Sequence, residues 1–396
     1  MKTVTIVGTG MGPDTVTQEG LRAIERADVL FGAPRMLADY AYLKKRAQAV
    51  YTAEKMRPVL AEYGEGRFAV LVSGDTGFYS AAAKLCRELG DCQVEVLPGI
   101  SSLNYLAARL GKTWQDTALV SCHGRAGHLV DTVRRNESTF ALTGGNVKEL
   151  AEALCRSGFG GLTVRLGEDL GREGESVRTM TAEELTGTEA GSLAVLWIEN
   201  PDADDRVRFG IPDGEFVRGE VPMTKAEIRA VTMSKLLPRP GETCWDVGCG
   251  TGSVTVELAL AAWRGGVYAV DKSQEAAALT ERNCAAFHLG NVTVIRGGAP
   301  ESLHELPAPD VVFVGGSGKN MDAIFDAALG KNPRARMAVN AIALESVQAA
   351  LGAFERRGLR AEVVQVGVAA AKTVAGLHMM MAQNPIFIIS GGGRDE

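Results

Sequence analysis

Short apolar runs recur along this chain and are cut off by turn residues. In the first half "TVTIVG", "RFAVLVSG", "QVEVLPG", "TALVSCHG" and "STFALTGG" are such runs, and "SLAVLWIEN" closes the series. Helical stretches such as "YSAAAKLCREL" and "SSLNYLAARL" lie between them, and strands alternating with helices predict an α/β fold. The texture then breaks. Residues 200–225, "NPDADDRVRFGIPDGEFVRGEVPMTK", are rich in charge, proline and glycine without a sustained period, and read as a linker able to fold back on either neighbour. A second series starts from a predicted helix, "TKAEIRAVTMSKLL". Strands follow at "TCWDVG", "GGVYAVD", "NVTVIRG", "DVVFVGG", "RMAVNA", "LRAEVVQVGV" and "NPIFIISGG". Seven strands interleaved with helices suit a doubly wound sheet with a C-terminal hairpin.

The two halves share no alignable repeat, so the expected organisation is two unrelated α/β domains, over 1–200 and 223–396, joined by a linker at 201–222. A length of 396 residues agrees, being long for one hydrophobic core. Apolar residues at 46% and charged residues at 23% are the balance of a soluble globular protein. A net charge of −6 argues against sequence-independent nucleic-acid binding, while leaving room for a local basic pocket. The N-terminus runs straight into a strand without an apolar signal core, and no apolar run approaches the ~20 residues of a membrane span. Seven scattered cysteines form no Cys-x-x-Cys pair, and only Cys249 stands inside a motif. A cytoplasmic protein with no structural metal and no nucleic-acid or membrane partner is expected.

The densest chemistry lies in "WDVGCGTGS". Gly248, Gly250 and Gly252 are spaced G-x-G-x-G, and glycine is needed where the backbone turns sharply or a ligand approaches it closely. The dinucleotide fingerprint is instead G-x-G-x-x-G. Here the next helix begins sooner, with Ser253 expected as its N-cap and Glu257 in its first turns. Asp271 ends the next strand, placed to accept both hydroxyls of a ribose, and Asp246 adds negative charge. Two carboxylates around the loop suit a cationic ligand without phosphates, such as S-adenosylmethionine, with "GGAPES" (Ala299) where an adenine would lie.

From about residue 210 onward, "P-M-T-K-x-E-I-R-A", "DVGCGTG", "VYAVDKSQEA", "FVGGSG" and "AVNAIALES" together closely resemble the decarboxylating precorrin-6Y methyltransferase domain of cobalamin biosynthesis. The resemblance implies a Rossmann-like class I methyltransferase fold. It places Met223, Thr224 and Thr251 at the cofactor and Gly315 to Gly318, Gly316 and Ser317 among them, beside a tetrapyrrole. Lys225, Arg229 and Lys319 are candidate partners for substrate carboxylates. The first 200 residues carry "VGTGMGPD", "LVSGDTGFYSAA", "VLPGISSLNYLAARLG" and "VSCHGR" in order, each at the end of an apolar strand where open α/β sheets gather ligands. They resemble the tetrapyrrole methylase family, nearest the domain that methylates carbon 5 of the precorrin ring, and imply a two-lobed fold with the cofactor between the lobes. By that resemblance Gly8, Gly10, Gly74, Asp75, Thr76, Tyr79, Ser101, Ser102, Leu142 and Thr143 would surround the cofactor. The chain departs from the family pattern at Thr76, where proline is common, and in "GTGMGPD" for G-x-G-P-G-D. Arg35 and Arg125 are candidates for substrate carboxylates. His123 and Arg125 are candidate reactive groups, although a lone strand-end histidine is more often structural.

The implied reaction is methylation of precorrin-6, metal-free or cobalt-bearing, at carbons 5 and 15 with decarboxylation, using two S-adenosylmethionine sites, one per domain, in a homo-oligomer. Enamine-like ring carbons need little beyond alignment with the methyl donor, and proximity supplies ~7–11 kcal/mol. Three other readings are weaker. A methyltransferase acting on RNA is disfavoured by the net charge, a nicotinamide oxidoreductase by the glycine spacing, and a binding protein by two intact glycine sites.

Overall fold

The computed structural model describes residues 2–123 and 128–393. The chain divides into two compact units, one of Met1–Gly127, Glu137–Ala151 and Leu162–Asn200, the other of His128–Asn136, Glu152–Gly161 and Pro201–Glu396.

The first unit holds two five-stranded sheets. In one, β1 (Lys2–Gly8), β2 (Val29–Phe31), β3 (Arg46–Gln48), β4 (Gly66–Val72) and β5 (Gln93–Leu97) lie in the order β3-β2-β4-β1-β5, and every pair is parallel. Ile6, Phe31 and Val70 fill one face with the helix Ala53–Ala61, while Val7, Leu30 and Leu71 fill the other with the helix Gln18–Arg26. A sheet covered on both faces explains strands that are apolar without alternation. The second sheet contains β6 (Ala118–Ser121), β7 (Ser138–Leu142), β8 (Thr163–Glu168), β9 (Ser176–Thr181) and β10 (Ala194–Glu199), ordered β6-β7-β10-β8-β9 and mostly antiparallel. The sequence reading did not find β8 and β9. Only three of their twelve positions are buried, and β9 has none, so the apolar run it relied on is missing.

The second unit carries a seven-stranded sheet of β11 (Cys244–Val247), β12 (Val267–Asp271), β13 (Val292–Arg296), β14 (Val311–Val314), β15 (Arg336–Ala341), β16 (Ala361–Val366) and, after an inserted hairpin, β19 (Ile386–Gly392). Counting only these strands, the spatial order is 3-2-1-4-5-7-6, with β19 antiparallel to both neighbours. Apolar clusters pack both faces. Trp245, Val247 and Phe325 lie in one, and Met233, Leu258 and Ala338 in the other, which is the doubly wound arrangement expected. The C-terminal hairpin differs from expectation. β16 and β19 pair but do not follow one another, because β17 (Ala369–Val374) and β18 (Leu377–Ala382) form a separate two-stranded hairpin between them, with every residue exposed.

Candidate functional site

Strand order reverses between β11 and β14, the place where open α/β sheets leave a crevice at the strand ends. The loops after these strands meet there. Gly248, Gly250 and Gly252 all take positive φ, at 77°, 58° and 76°. A Cβ on Gly248 would lie 2.7 Å from Gly316 N, and one on Gly252 2.8 Å from Thr280 Cγ2. Glycine is therefore required here both by backbone conformation and by space.

The loop opens into a cavity of about 1230 Å³, lined among others by Met223, Thr224, Gly250, Asp271, Ala299 and Gly316. Thr251, Gly248, Lys225 and Ser317 line it too. Asp271 Oδ2 accepts a hydrogen bond from Gly250 N at 3.1 Å and Oδ1 one from Ser273 N at 2.9 Å. The carboxylate thus closes the loop while facing the cavity, and its remaining lone pairs are suited to hydroxyl donors. Thr251 Oγ1 is buried without a partner among the described residues, a polar atom that a bound molecule would satisfy.

Three expectations are corrected. Asp246 is fully buried and does not line the cavity. It accepts a 2.5 Å hydrogen bond from Thr255 Oγ1, and burial pushes its carboxyl up to about 7. It supports the loop from below because its side chain leaves the strand toward the helix Ser253–Ala261. The N-cap of that helix is Gly252, not Ser253, which is buried as its first residue. Arg229 is not a substrate partner, since its side chain is 0% exposed and saturated by protein. It donates to Glu257 Oε1 at 2.8 Å and Asp213 Oδ1 at 3.1 Å and to the carbonyls of Thr224 and Ile211, and its guanidinium lies 4.7 Å from the Phe216 ring centroid. Glu257 in turn accepts from Gly210 N and Ile211 N, both at 3.0 Å, and burial raises its pKa against the pull of Arg229. This network folds residues 210–225 onto the second unit and sets Met223 and Thr224 at the cavity. Lys225 pairs with Asp213 at 3.2 Å. Lys319, exposed and at φ 75°, follows the lining residue Gly318 without lining the cavity itself. Burial drives the Cys249 thiol up, so it stays protonated and unreactive.

In the first unit the loops after β1, β4 and β5 pack backbone to backbone. Gly10 and Gly74 exchange hydrogen bonds of 3.2 and 2.9 Å. Asp75 accepts from Gly77 N at 2.8 Å and Gly99 N at 3.1 Å, so its carboxylate ties the loops together. A Cβ on Gly8 would lie 2.7 Å from Gly99 N. Thr15 Oγ1 takes the amides of Met11 and Gly12 at 2.7 and 3.0 Å. Those donors are therefore turned inward rather than toward a pyrophosphate, which disfavours a dinucleotide loop.

Ser101 caps the helix Ser102–Leu110 by accepting from Asn104 N at 3.1 Å, and is buried. Thr143 Oγ1 donates to Ala194 O at 2.7 Å, and Leu142 packs beside Phe140 and Trp197. Thr76 is half-buried. Tyr79 is 57% exposed with φ 49°, an unusual conformation for a bulky side chain. Arg35 makes no ion pair among the described residues, and burial and then the neighbouring Arg172 lower its pKa. His123 is exposed just beyond β6, while Arg125 lies outside the described residues.

Among the described residues no helix is long and apolar enough to cross a membrane, and no group of three or more His, Cys, Asp or Glu could hold a metal ion.

Comparison with known proteins matches residues 3–186 to the Tetrapyrrole (Corrin/Porphyrin) Methylases and residues 215–391 to a Precorrin methyltransferase domain. Over 391 residues, 93% of this chain and 91% of the relative, the sequence is 32% identical to the decarboxylating precorrin-6Y C(5,15)-methyltransferase of a Sinorhizobium species. It is 47% identical over 184 residues, 46% of this chain and 94% of the relative, to a probable decarboxylating cobalt-precorrin-6B C(15)-methyltransferase of Pyrobaculum calidifontis. The crystal structure of a precorrin-6Y C5,15-methyltransferase from Geobacter metallireducens aligns at 34% identity and a TM-score of 0.45, covering 47% of this chain and 97% of that one. With identity at this level running through both units, the chain belongs to the decarboxylating precorrin-6Y C(5,15)-methyltransferase family.

Proposed function

We propose that this protein methylates precorrin-6, metal-free or cobalt-bearing, at ring carbons 5 and 15 and removes carbon dioxide from the ring C acetate, giving precorrin-8. The observation that carries the reading is the 32% identity to a doubly named C(5,15)-methyltransferase over 93% of the chain. The first unit acts at carbon 5, and the second at carbon 15 and on the acetate. Each binds its own S-adenosylmethionine, which supplies a methyl group made electrophilic by its sulfonium.

The second unit's residues suit that cofactor. The positive-φ glycines let it approach the main chain, Asp271 offers acceptors for ribose hydroxyls, and the buried Thr251 hydroxyl lacks a partner among the described residues. About 1230 Å³ exceeds the ~300–1,000 Å³ of an ordinary small-molecule pocket, leaving space for part of a macrocycle beside the donor. Gly316 and Ser317 face that space, and Lys225, with Lys319 at the rim, draws substrate carboxylates. In the first unit Gly74, Asp75, Thr76, Tyr79, Ser101, Ser102, Leu142 and Thr143 surround the donor, and Arg35 and Arg125 draw substrate carboxylates. The exposed β17–β18 hairpin, with Leu377 at 70% and Met380 at 65%, supports self-association.

Mass spectrometry of reduced precorrin-6 incubated with S-adenosylmethionine tests the reading. Two added methyls and one lost carbon dioxide are expected, and no mass change with either substrate form would overturn it.

A further inference from the structure

Charge is unevenly distributed around the cavity of the second unit. The lining residues before Gly315 include Glu220, Lys225, Asp271, Lys272, Glu275 and Glu301, whereas from Gly315 onward every lining side chain is neutral. Asn340 sits in this neutral wall. It lies one residue beyond the Val314–Val339 pair of β14 and β15, abreast of Gly315. Met337, Val339 and Ala341 of the same strand pack into one apolar cluster and Ala338 into the other, so alternation turns Asn340 toward the helix Ala226–Leu236.

There it meets Thr232, which is 0% exposed. The Thr232 hydroxyl gives its proton to Ile228 O at 2.8 Å, accepts from Asn340 Nδ2 at 3.0 Å, and lies 3.2 Å from Asn340 Oδ1. One carboxamide N–H is thereby fixed, and the other has no partner among the described residues. A carboxamide held by a fully buried hydroxyl at the end of a core strand is preorganised in a way that Gln383 and Asn384, which carry no such anchor among the described residues, and the exposed Asn320, held only by Ala299 O at 2.8 Å, are not.

Resting on the function proposed above, we infer that Asn340 donates its free N–H to the carboxylate that departs as carbon dioxide, with Thr232 as its positioning residue. In that step the bond between the methylene and the carboxyl carbon breaks and its electron pair enters the conjugated macrocycle. Carbon dioxide leaves, and a proton from water completes a methyl group. The breaking bond must stand across the plane of the macrocycle, so the carboxylate has to be oriented. A cation there would stabilise the carboxylate in the ground state and lose that interaction as neutral carbon dioxide forms. An amide donor orients it with less of that penalty.

The test scores the product of the full-length enzyme by mass, separating methylated tetrapyrrole that has kept every carboxyl from that which has lost one. In Asn340→Leu the decarboxylated share should fall about tenfold to a hundredfold, as a loss of orientation in kcat. Asn340→Asp, which keeps the shape but repels the carboxylate, should lose the same share and raise KM as well. Thr232→Val should fall in the same sense, and Thr232→Ser should restore it. S-adenosylhomocysteine titration of each variant verifies that the cavity is folded.

An unchanged share in Asn340→Leu overturns the assignment. So does an equal fall in methylation and decarboxylation with cofactor binding intact, which would mean that Asn340 holds the whole ring. Wild-type enzyme that leaves the substrate mass unchanged would instead sink the parent reading.

Discussion

Asp246 and Asp271 close adjacent strands of one sheet, yet one is entombed and the other faces the cavity. Asp271→Ala removes acceptors from the loop and, on the proposed function, from a bound ribose. With charged hydrogen bonds worth ~1.5–3 kcal/mol, affinity for S-adenosylhomocysteine at this site should drop about tenfold to a hundredfold by calorimetry. The product should then carry one methyl and all its carboxyls. Asp246 acts on stability instead. Its folded-state pKa is raised to about 7, so between there and the ordinary carboxyl value the folded protein binds more protons than the unfolded chain. Stability therefore rises as pH falls through 7 toward 4, by at most ~1.4 kcal/mol per pH unit. Asp131, also raised to about 7 by burial, contributes in the same sense. Asp246→Asn should accordingly flatten the gain in stability seen in denaturant melts as pH falls from about 8 to about 5. Both carboxylates were legible as strand-end acids. Which of them reaches the cavity was not, because spacing gives a position along a strand but not the depth beneath its loop.

At the scale of elements, the glycine loop was readable because few residues can occupy positive φ, and the pattern G-x-G-x-G announces it. Gly252→Ala combines that strain with a Cβ 2.8 Å from Thr280, and should cost ~1–3 kcal/mol of stability together with cofactor binding, measured by thermal melts and calorimetry. Arg229 was misjudged for a related reason. A cation near a ligand loop looks the same in sequence whether it faces substrate or a buried glutamate 28 positions later. Arg229→Met strands Glu257 without its partner and should destabilise the second unit by ~3–5 kcal/mol, whereas Arg229→Met with Glu257→Leu should recover most of that loss in chemical denaturation. The β17–β18 hairpin escaped notice since neither of its faces meets a core. Its residues are mostly apolar, Met379, Met380 and Met381 among them, but alanine and methionine are weak strand formers and leave no strand signature in the sequence.

For the whole molecule, alternation of strands and helices foretold two α/β bodies, and each has apolar clusters of its own. If the hairpin mediates self-association, replacing Met380 and Leu377 by glutamate should shift the protein to a smaller species in sedimentation without unfolding either sheet. Residues 210–217 bear on how the chain can be divided. Ile211 and Phe216 are 1% and 4% exposed and belong to the second unit's core, and the Arg229–Glu257 network grips the backbone around them. A fragment beginning at Met223 would forfeit both side chains, roughly 3–6 kcal/mol of burial, a large share of the ~5–15 kcal/mol that holds a domain folded. Expressed alone, residues 201–396 should yield soluble protein with a cooperative melt and residues 223–396 should aggregate. The stretch that looks most dispensable in the sequence thus marks where this protein cannot be cut.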